Sequence, residues 1–170
     1  DPQKIGYAVL NNIKKYLYTG DIYPINPKSE EILGLKTSKS LGEIKGDVDL
    51  AVIAIPAHMV PQALRDCIEK NVKSVVIISA GFKESGTAGV LLEEELKALV
   101  RESGIRILGP NCLGIINTAN NINATFAAGM LPKGRISFFS QSGALGIAIL
   151  DWAIGNKIGF SKFISLGNKT

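Results

Sequence analysis

The chain has 170 residues, of which 46% are hydrophobic, and it carries a formal net charge of +4 at pH 7. This length and composition suffice to bury the core of one large domain, or of one domain and the start of a second, and we favour the second arrangement. The lysines and arginines are scattered, without a basic stripe and interleaved aromatic residues, so the pattern argues against nucleic-acid binding but suits a polyanionic small molecule.

The sequence carries no membrane or secretion signal. No apolar run reaches the roughly 18 residues that a bilayer-spanning helix needs, and no secretory apolar segment follows residues 1–4. The two cysteines, Cys67 and Cys112, lack CxxC or Cys/His metal-ligand spacing, as is typical of reduced thiols. We therefore expect a soluble, cytoplasmic protein with no disulfide framework and no metal held by its side chains.

The first third of the chain shows one helix and two strands. Val9, Ile13 and Leu17 lie on one helical face and predict a helix near the start. Residues 21–26 predict a short strand that ends before Pro27, followed by a loop over residues 30–46. The apolar run 49–55 predicts a strand that is covered on both faces and ends at Pro56.

Helices and strands then alternate. A helical stripe contains Val60, Ala63, Leu64, Cys67 and Ile68, and a second contains Leu92, Leu96, Leu99 and Val100. Strands are predicted at 74–79 and 105–108, and Gly104 is a suitable end for the second helix. Glu93 and Lys97 have the i,i+4 spacing of an ion pair on the exposed face of that helix.

This alternation predicts an α/β fold with a parallel, doubly wound sheet. The segment 109–133 is rich in asparagine and has little periodicity, and its end, Pro132-Lys133-Gly134, resembles an entry turn. We therefore expect one domain over residues 1–130 and the start of a second over 131–170. The second would contain strands at 135–139 and 160–166 and a helix with Leu145, Ala148, Ile149 and Trp152 between them.

Small or conformationally constrained residues follow each predicted strand of the first domain. Ligands of open parallel sheets collect at the carboxyl ends of the strands. The residues at these ends are Asn26-Pro27-Lys28, Pro56-Ala57, Ser79-Ala80-Gly81-Phe82 and Gly109-Pro110-Asn111-Cys112-Leu113-Gly114. They would let a phosphate-bearing ligand approach main-chain N–H groups, although ordinary turn chemistry explains any one of them alone.

The junction from residue 137 to residue 146 has the pattern of an anion site. An apolar strand runs into Ser140-Gln141-Ser142-Gly143 and then directly into a helix. The first N–H groups of a helix have no internal acceptor, and the helix dipole adds positive charge, so this turn could surround a phosphoryl group. The alternative is that the serines only cap the helix.

Four motifs together resemble the nucleoside-diphosphate-forming acyl-CoA synthetases. They are Lys4-Ile5-Gly6-Tyr7-Ala8-Val9, Tyr23-Pro24-Ile25-Asn26-Pro27-Lys28, Gly109-Pro110-Asn111-Cys112-Leu113-Gly114 and Ser140-Gln141-Ser142-Gly143-Ala144. They occur in the order and at the spacing of that family. The resemblance is strongest to ADP-forming acetyl-CoA synthetases and weaker to the succinyl-CoA synthetase alpha subunit, and it covers essentially the whole chain.

The resemblance implies a Rossmann-like CoA-binding domain followed by the start of a flavodoxin-like ligase domain. It assigns coenzyme A (CoA) to Lys4, Gly6, Asn26, Pro27, Lys28, Ile55, Pro56, Ser79, Ala80, Gly81, Phe82, Asn111 and Cys112. Within this set, Ile55 and Pro56 would line the adenine side, Ser79 to Phe82 the pantetheine side, and Asn111 and Cys112 the thioester end. Phosphate, or the phosphoryl group of a phosphohistidine, is assigned to Ser140, Gln141, Ser142 and Gly143.

The implied reaction interconverts acyl-CoA, ADP and phosphate with acid, CoA and ATP through an acyl phosphate and a phosphohistidine. In the family that histidine lies beyond the position of Thr170, and ADP or ATP binds with Mg²⁺ on an ATP-grasp module, either a beta subunit or a fused domain. An α₂β₂ assembly or a homo-oligomer is expected. Family members also have a first strand and a Gly-Ala-Ser loop immediately before the position of Asp1, at the centre of the sheet.

Two alternatives remain open at this point. A non-catalytic CoA-binding module, such as the ligase-like part of a protein acetyltransferase, would share these loops. A nicotinamide-dependent dehydrogenase would require an acidic residue after the second strand, where this chain has Asn26-Pro27-Lys28. His58, the only histidine, follows Pro56-Ala57 and is expected to be a surface or capping residue, and Cys112 is expected to be a buried thiol rather than a nucleophile.

Overall fold

The computed structural model describes all residues, Asp1–Thr170. It contains four α-helices, namely α1 (Ile5–Lys15), α2 (Val60–Glu69), α3 (Thr87–Ser103) and α4 (Gly143–Gly155). Its nine strands are β1 (Glu31–Ile32), β2 (Leu35–Lys36), β3 (Leu50–Ile53), β4 (Ser74–Ile77), β5 (Arg106–Leu108), β6 (Gly114–Asn117), β7 (Ile122–Thr125), β8 (Lys133–Ser140) and β9 (Phe160–Ser165). None of the helices is both long enough and apolar enough to cross a membrane.

The predicted parallel sheet is present and is covered on both faces. Strands β3, β4 and β5 pair in that order, all parallel. Because successive side chains of a strand point to opposite faces, Val75 and Ile77 pack in the core beneath α2 and α3, while Val76 and Ile78 pack with Val9 of α1. Strand β3 lies at one edge of this sheet and β5 at the other.

The early strand prediction is wrong. Residues 21–26 form no strand, because the segment has no neighbouring strand and makes only a single bridge, between Ile25 and Ser38. The predicted loop over 30–46 instead contains the antiparallel hairpin β1–β2 and a short 3₁₀ turn at Leu41–Glu43. Leu41 and Ile44 enter the main core, which fixes this segment against the end of α2.

A second sheet forms from strands on both sides of the predicted domain boundary. Its strand order is β7-β6-β9-β8, with β6 antiparallel to β7 and β9, and β8 parallel to β9. The segment 109–133, predicted as a connection without regular structure, is therefore mainly the hairpin β6–β7. A domain boundary after residue 130 would divide this sheet, and its position stays a prediction.

Asparagines supply the polar contacts that let this hairpin bury its backbone. Asn12 of α1 donates its side-chain amide to the carbonyls of Thr125 and Ala127, at 2.8 Å each. Asn123, fully buried, donates to the carbonyl of Gly129 at 2.7 Å and accepts from the Thr125 hydroxyl. Asn12 and Asn123 thus satisfy buried polar groups of the hairpin and of the turn that follows it.

Helix α4 lies against the second sheet, but its buried stripe differs from the predicted one. Gly146, Leu150 and Ala153 face the core, whereas Leu145 and Trp152 are more than half exposed. Gly146 allows this approach, since a Cβ at that position would lie 2.9 Å from the ring of Phe163. The helix is apolar around its circumference, so the pattern of apolar residues alone did not identify the inner face.

Candidate functional site

A cleft of about 380 Å³ opens at the carboxyl ends of β3 and β4, beside the start of α1. It is lined by Gln3, Lys4, Ile5, Ala54, Ile55, Pro56, Ile78, Ser79 and Ala80. The structure therefore brings together Lys4, Ile55, Pro56, Ser79 and Ala80, which the family resemblance assigns to one ligand from three separate segments. A second cleft of similar volume, about 370 Å³, contains none of the predicted site residues.

Ser79 holds the two strand ends of the cleft in register. Its hydroxyl accepts a hydrogen bond from the Ile55 N–H at 3.0 Å, and its carbonyl accepts one from the Asn111 N–H at 2.9 Å. Ser79 is buried, so these contacts are shielded from water. One residue thus fixes three of the predicted ligand loops relative to one another.

The start of α1 presents main-chain N–H groups to the cleft. Lys4 is the N-cap residue but its side chain makes no capping bond, and the first turn contains no acidic residue. The N–H groups of Ile5 and Gly6 consequently lack an acceptor within the helix. A Cβ at Gly6 would come no closer than 3.8 Å to another atom, so the packing of the chain does not require glycine there. The arrangement suits close approach of an anionic ligand.

The loop after β4 is held by hydrogen bonds among its own residues. The N–H groups of Gly81 and Phe82 both donate to Glu84 Oε1, at 2.7 and 3.1 Å. Gly81 has φ of 106°, a conformation that favours glycine, and the Phe82 side chain is fully buried. These two amides are therefore already satisfied, and only the outer surface of the loop remains for a ligand.

Asn26, Pro27 and Lys28 lie outside the lining of the cleft. They form a compact turn in which the Asn26 side-chain oxygen accepts the Lys28 N–H at 2.9 Å, while the Asn26 N–H donates to the Ser38 carbonyl. Lys28 is exposed and makes no ion pair. Their predicted contact with CoA stays a prediction.

Asn111 and Cys112 occupy the turn after β5 and face opposite directions. Asn111 is exposed, whereas the Cys112 thiol is buried and lies 3.3 Å from the Ile77 carbonyl. Burial raises the pKa of Cys112 to about 11. The thiol is thus protonated at neutral pH and is not an activated nucleophile. His58 is exposed, in a 3₁₀ turn just before α2.

The start of α4 combines both of the arrangements that the sequence left open. Ser142 is the N-cap: its hydroxyl accepts the Leu145 N–H at 3.2 Å, and its own N–H donates to Ser140 Oγ at 3.1 Å. The N–H groups of Gly143 and Ala144 have no acceptor within the helix. A Cβ at Gly143 would meet nothing within 4 Å. The serines therefore shape the turn, and the next two amides are open to an anion.

A polar cluster beside these loops was not predicted. It comprises Lys83, Glu84, Glu93 and Asn168, and the predicted exposed pair between Glu93 and Lys97 is wrong. Glu93 is 1% exposed and its Oε1 lies 3.0 Å from Lys83 Nζ, while Lys97 instead pairs with Glu94. The sequence did contain a signal, because Glu93 shares the i, i+3, i+7 stripe of the apolar residues Leu96 and Val100.

Two carboxyl groups of this cluster are held in the charged form. Burial raises the pKa of Glu93, but hydrogen bonds from Lys83 and Asn168 lower it more, so the net pKa lies below its ordinary value. The pKa of Glu84 is also lowered: partial burial opposes the shift, and hydrogen bonds from Asn168 and from the Gly81 and Phe82 amides outweigh it. Both groups therefore act as acceptors at neutral pH.

Comparison with known proteins places the chain in a family. The family of CoA binding domains matches residues 1–118, and the succinyl-CoA ligase like flavodoxin domain matches residues 133–170. The alpha subunit of ADP-forming acetate–CoA ligase II from Pyrococcus furiosus is 52% identical over 168 residues, which is 99% of this chain and 36% of that protein. The ADP-forming acetate–CoA ligase of Methanocaldococcus jannaschii is 52% identical over 98% of this chain and 23% of its own length.

A solved structure agrees over the whole chain. The dinucleotide forming acetyl-coenzyme A synthetase 1 of Ca. Korarchaeum cryptofilum, in complex with phosphate and ADP, superimposes with a TM-score of 0.94 and 41% identity over 99% of this chain and 36% of that one. The chain thus spans about a third or less of the length of these relatives. The fold, the two domain matches and the sequence identity all point to the same family. The chain belongs to the CoA-binding domains of the nucleoside-diphosphate-forming acyl-CoA synthetases.

Proposed function

We propose that this chain is the CoA-binding and phosphate-binding part of an ADP-forming acid–CoA ligase. The observation that carries the proposal is the cleft at the ends of β3 and β4, which gathers residues of three separate segments under a helix start with free N–H groups. Relatives that are 52% identical are named ADP-forming acetate–CoA ligases, which supports acetate or a similar acid as the substrate.

The lining of the cleft fits the parts of CoA. Ile55 and Pro56 offer apolar surface for a flat base, and Ala80 leaves room along the wall for a narrow chain. Lys4 brings a positive charge to the same rim as the open amides of Ile5 and Gly6, so a diphosphate would bind there. The chain's contribution to catalysis is to bind CoA and to orient its thiol; CoA itself supplies the thioester chemistry.

Phosphate is assigned to the start of α4. The open N–H groups of Gly143 and Ala144 lie in a turn that is fixed by Ser140 and Ser142, with Gln141 exposed beside them. Preorganised amides of this kind stabilise charge on a phosphoryl group without transferring a proton. The relative from Ca. Korarchaeum cryptofilum, whose structure contains phosphate and ADP, supports a phosphate site in this fold.

The remaining parts of the reaction are assigned to other regions of the full-length protein or to a partner. We expect the phosphohistidine beyond Thr170, and ADP or ATP with Mg²⁺ on an ATP-grasp beta subunit or fused domain. The relatives from Pyrococcus furiosus are named as alpha subunits, which supports a beta partner. We expect an α₂β₂ assembly or a homo-oligomer. We expect the assembly to work in the cytoplasm.

The proposal is tested by calorimetric titration of the full-length protein with CoA and, separately, with NAD. We expect saturable CoA binding, its loss in Ala80→Trp, which would fill the cleft, and its retention in Ala119→Trp, at an exposed turn residue outside the cleft. NAD binding in place of CoA would contradict the proposal. CoA binding without ligase activity in the complete assembly would support the non-catalytic module instead.

A further inference from the structure

Asn168 directs its polar groups toward the loops of the predicted CoA site. It lies just beyond β9, and its side-chain nitrogen donates to Glu84 Oε2 and Glu93 Oε2, at 2.8 Å each. Its backbone N–H donates to the Pro110 carbonyl at 2.9 Å, and its backbone carbonyl accepts from Lys83 Nζ at 2.7 Å. A single residue just beyond the second sheet therefore contacts α3 and both loops that follow β4 and β5.

The contact with Glu84 reaches the ligand loop directly. Glu84 uses one carboxylate oxygen for Asn168 and the other for the N–H groups of Gly81 and Phe82. Gly81 and Phe82 belong to the segment that we assign to the pantetheine side of CoA. Asn168 also lies 3.4 Å from the side-chain nitrogen of Asn111, which we assign to the thioester end.

The charges of this cluster explain why an amide side chain lies between Glu84 and Glu93. Glu84 and Glu93 both accept from the same nitrogen and are both held in the charged form, and Lys83 is the only cation of the cluster. Two carboxylates this close repel one another unless a donor lies between them. The two side-chain hydrogens of Asn168 supply that donor.

We propose that Asn168 is a positioning residue for CoA. Its side chain holds Glu84 where the Glu84 carboxylate accepts the Gly81 and Phe82 N–H groups. The loop assigned to pantetheine is thereby held at a fixed position relative to the second sheet. The inference rests on the proposed function, since the loop is assigned to CoA there. It adds a residue from outside the cleft to the determinants of CoA affinity.

The experiment compares Asn168→Ala, Asn168→Asp and the control Asn120→Ala in the full-length protein. Asn120 is an exposed turn residue of the β6–β7 hairpin and makes no side-chain hydrogen bond. Amide hydrogen exchange without CoA should be faster at Gly81 and Phe82 in Asn168→Ala, and the Kd for CoA should rise about tenfold, as expected for one lost hydrogen bond to a charged group. Both quantities should be unchanged in the control.

Asn168→Asp provides a readout that a merely structural role would not change. It places a third carboxylate beside Glu84 and Glu93, so CoA affinity should be weakest at pH 8 and should recover toward pH 6, as a proton shared among the carboxyl groups restores a donor. Unchanged exchange at Gly81 and Phe82 in Asn168→Ala, or a pH-independent affinity in Asn168→Asp, would overturn the proposal. If the unsubstituted protein bound no CoA, the proposed function would fail, and the exchange measurement would still decide the role of Asn168.

Discussion

The hydroxyl of Ser79 accepts the N–H of Ile55 across the carboxyl ends of β3 and β4, at 3.0 Å. Both residues line the cleft, and Ser79 is buried. The distance between the two walls of the proposed CoA site is therefore set by a hydrogen bond between residues that are 24 positions apart in the sequence.

The first prediction concerns this bond. Ser79→Ala should lower the free energy of unfolding by about 1–3 kcal/mol, because the Ile55 N–H loses its acceptor in a partly buried place. It should also weaken CoA binding, since the Ile55 loop loses its hydrogen bond to the end of β4. Urea unfolding and calorimetry measure the two effects. The control is Ser74→Ala, in the same sequence region but at the opposite end of β4, where the hydroxyl makes no hydrogen bond. Equal effects in both variants would contradict the prediction.

The second prediction separates folding from anion binding at α4. Gly143→Ala should fold normally and even favour the helix, by up to about 1 kcal/mol, because its Cβ would meet no atom of the chain. The added methyl group would nevertheless obstruct the approach to the Gly143 and Ala144 amides, so phosphate affinity should fall about tenfold, the equivalent of one displaced hydrogen bond. Phosphate titration followed by NMR measures this change.

Gly155→Ala is a matched control for that experiment. Gly155 ends the same helix, and a Cβ there also meets nothing within 4 Å. The phosphate affinity of Gly155→Ala should equal that of the unsubstituted protein. A phosphate affinity that is insensitive to Gly143→Ala would remove α4 from the site.

The third prediction concerns the buried carboxylate of Glu93. Its pKa in the folded state lies below the ordinary value of 4.5, so its contribution to stability is present above that pH and is lost as the pH falls through the folded pKa. Glu93→Gln should therefore lower the free energy of unfolding by about 1–3 kcal/mol at pH 7, with a smaller difference at pH 3. Denaturant unfolding at both values measures it.

The neighbouring Glu94 supplies the comparison. Glu94 is exposed and pairs only with Lys97, so Glu94→Gln should change the free energy of unfolding by no more than about 1 kcal/mol at either pH. A Glu93→Gln effect as small as this would show that the cluster around Asn168 contributes little.

The fourth prediction is that both cysteines are unreactive in the folded protein. Burial raises the pKa of Cys67 and of Cys112 to about 11, so both are thiols at pH 7.5 and are shielded from reagents. Mass spectrometry after iodoacetamide treatment should find labelling only once urea unfolds the protein. Rapid labelling of Cys112 under native conditions would instead indicate an accessible thiolate.

The sequence predicted the first sheet well because its signals are local. The apolar runs that became β3 and β4, and the stripe of Leu96 and its neighbours in α3, follow directly from the period of each element. The exceptions depended on distant partners. Residues 21–26 have strand-like composition but no strand beside them, and β6 pairs with the distant β9 as well as with its neighbour β7.

The candidate site was likewise predictable only in part. Pro56 and Ser79 could be grouped because the carboxyl ends of parallel strands meet at one edge, whereas Lys4 and Ile55 joined them only through the family resemblance. All four residues line one cleft, and their contact with CoA stays a prediction. Glu93 and Asn168 could not be grouped, because a contact between residues 75 positions apart leaves no local pattern. The predicted ion pair of Glu93 with Lys97 was wrong because i,i+4 spacing does not show which face of a helix is buried.

The most direct test of the account is a crystal structure of the full-length protein with CoA and inorganic phosphate. The account predicts CoA in the cleft formed by Lys4, Ile55 and Ser79, and phosphate within hydrogen-bonding distance of the Gly143 and Ala144 N–H groups. CoA bound elsewhere on the protein, with the cleft empty and no anion at the start of α4, would contradict it.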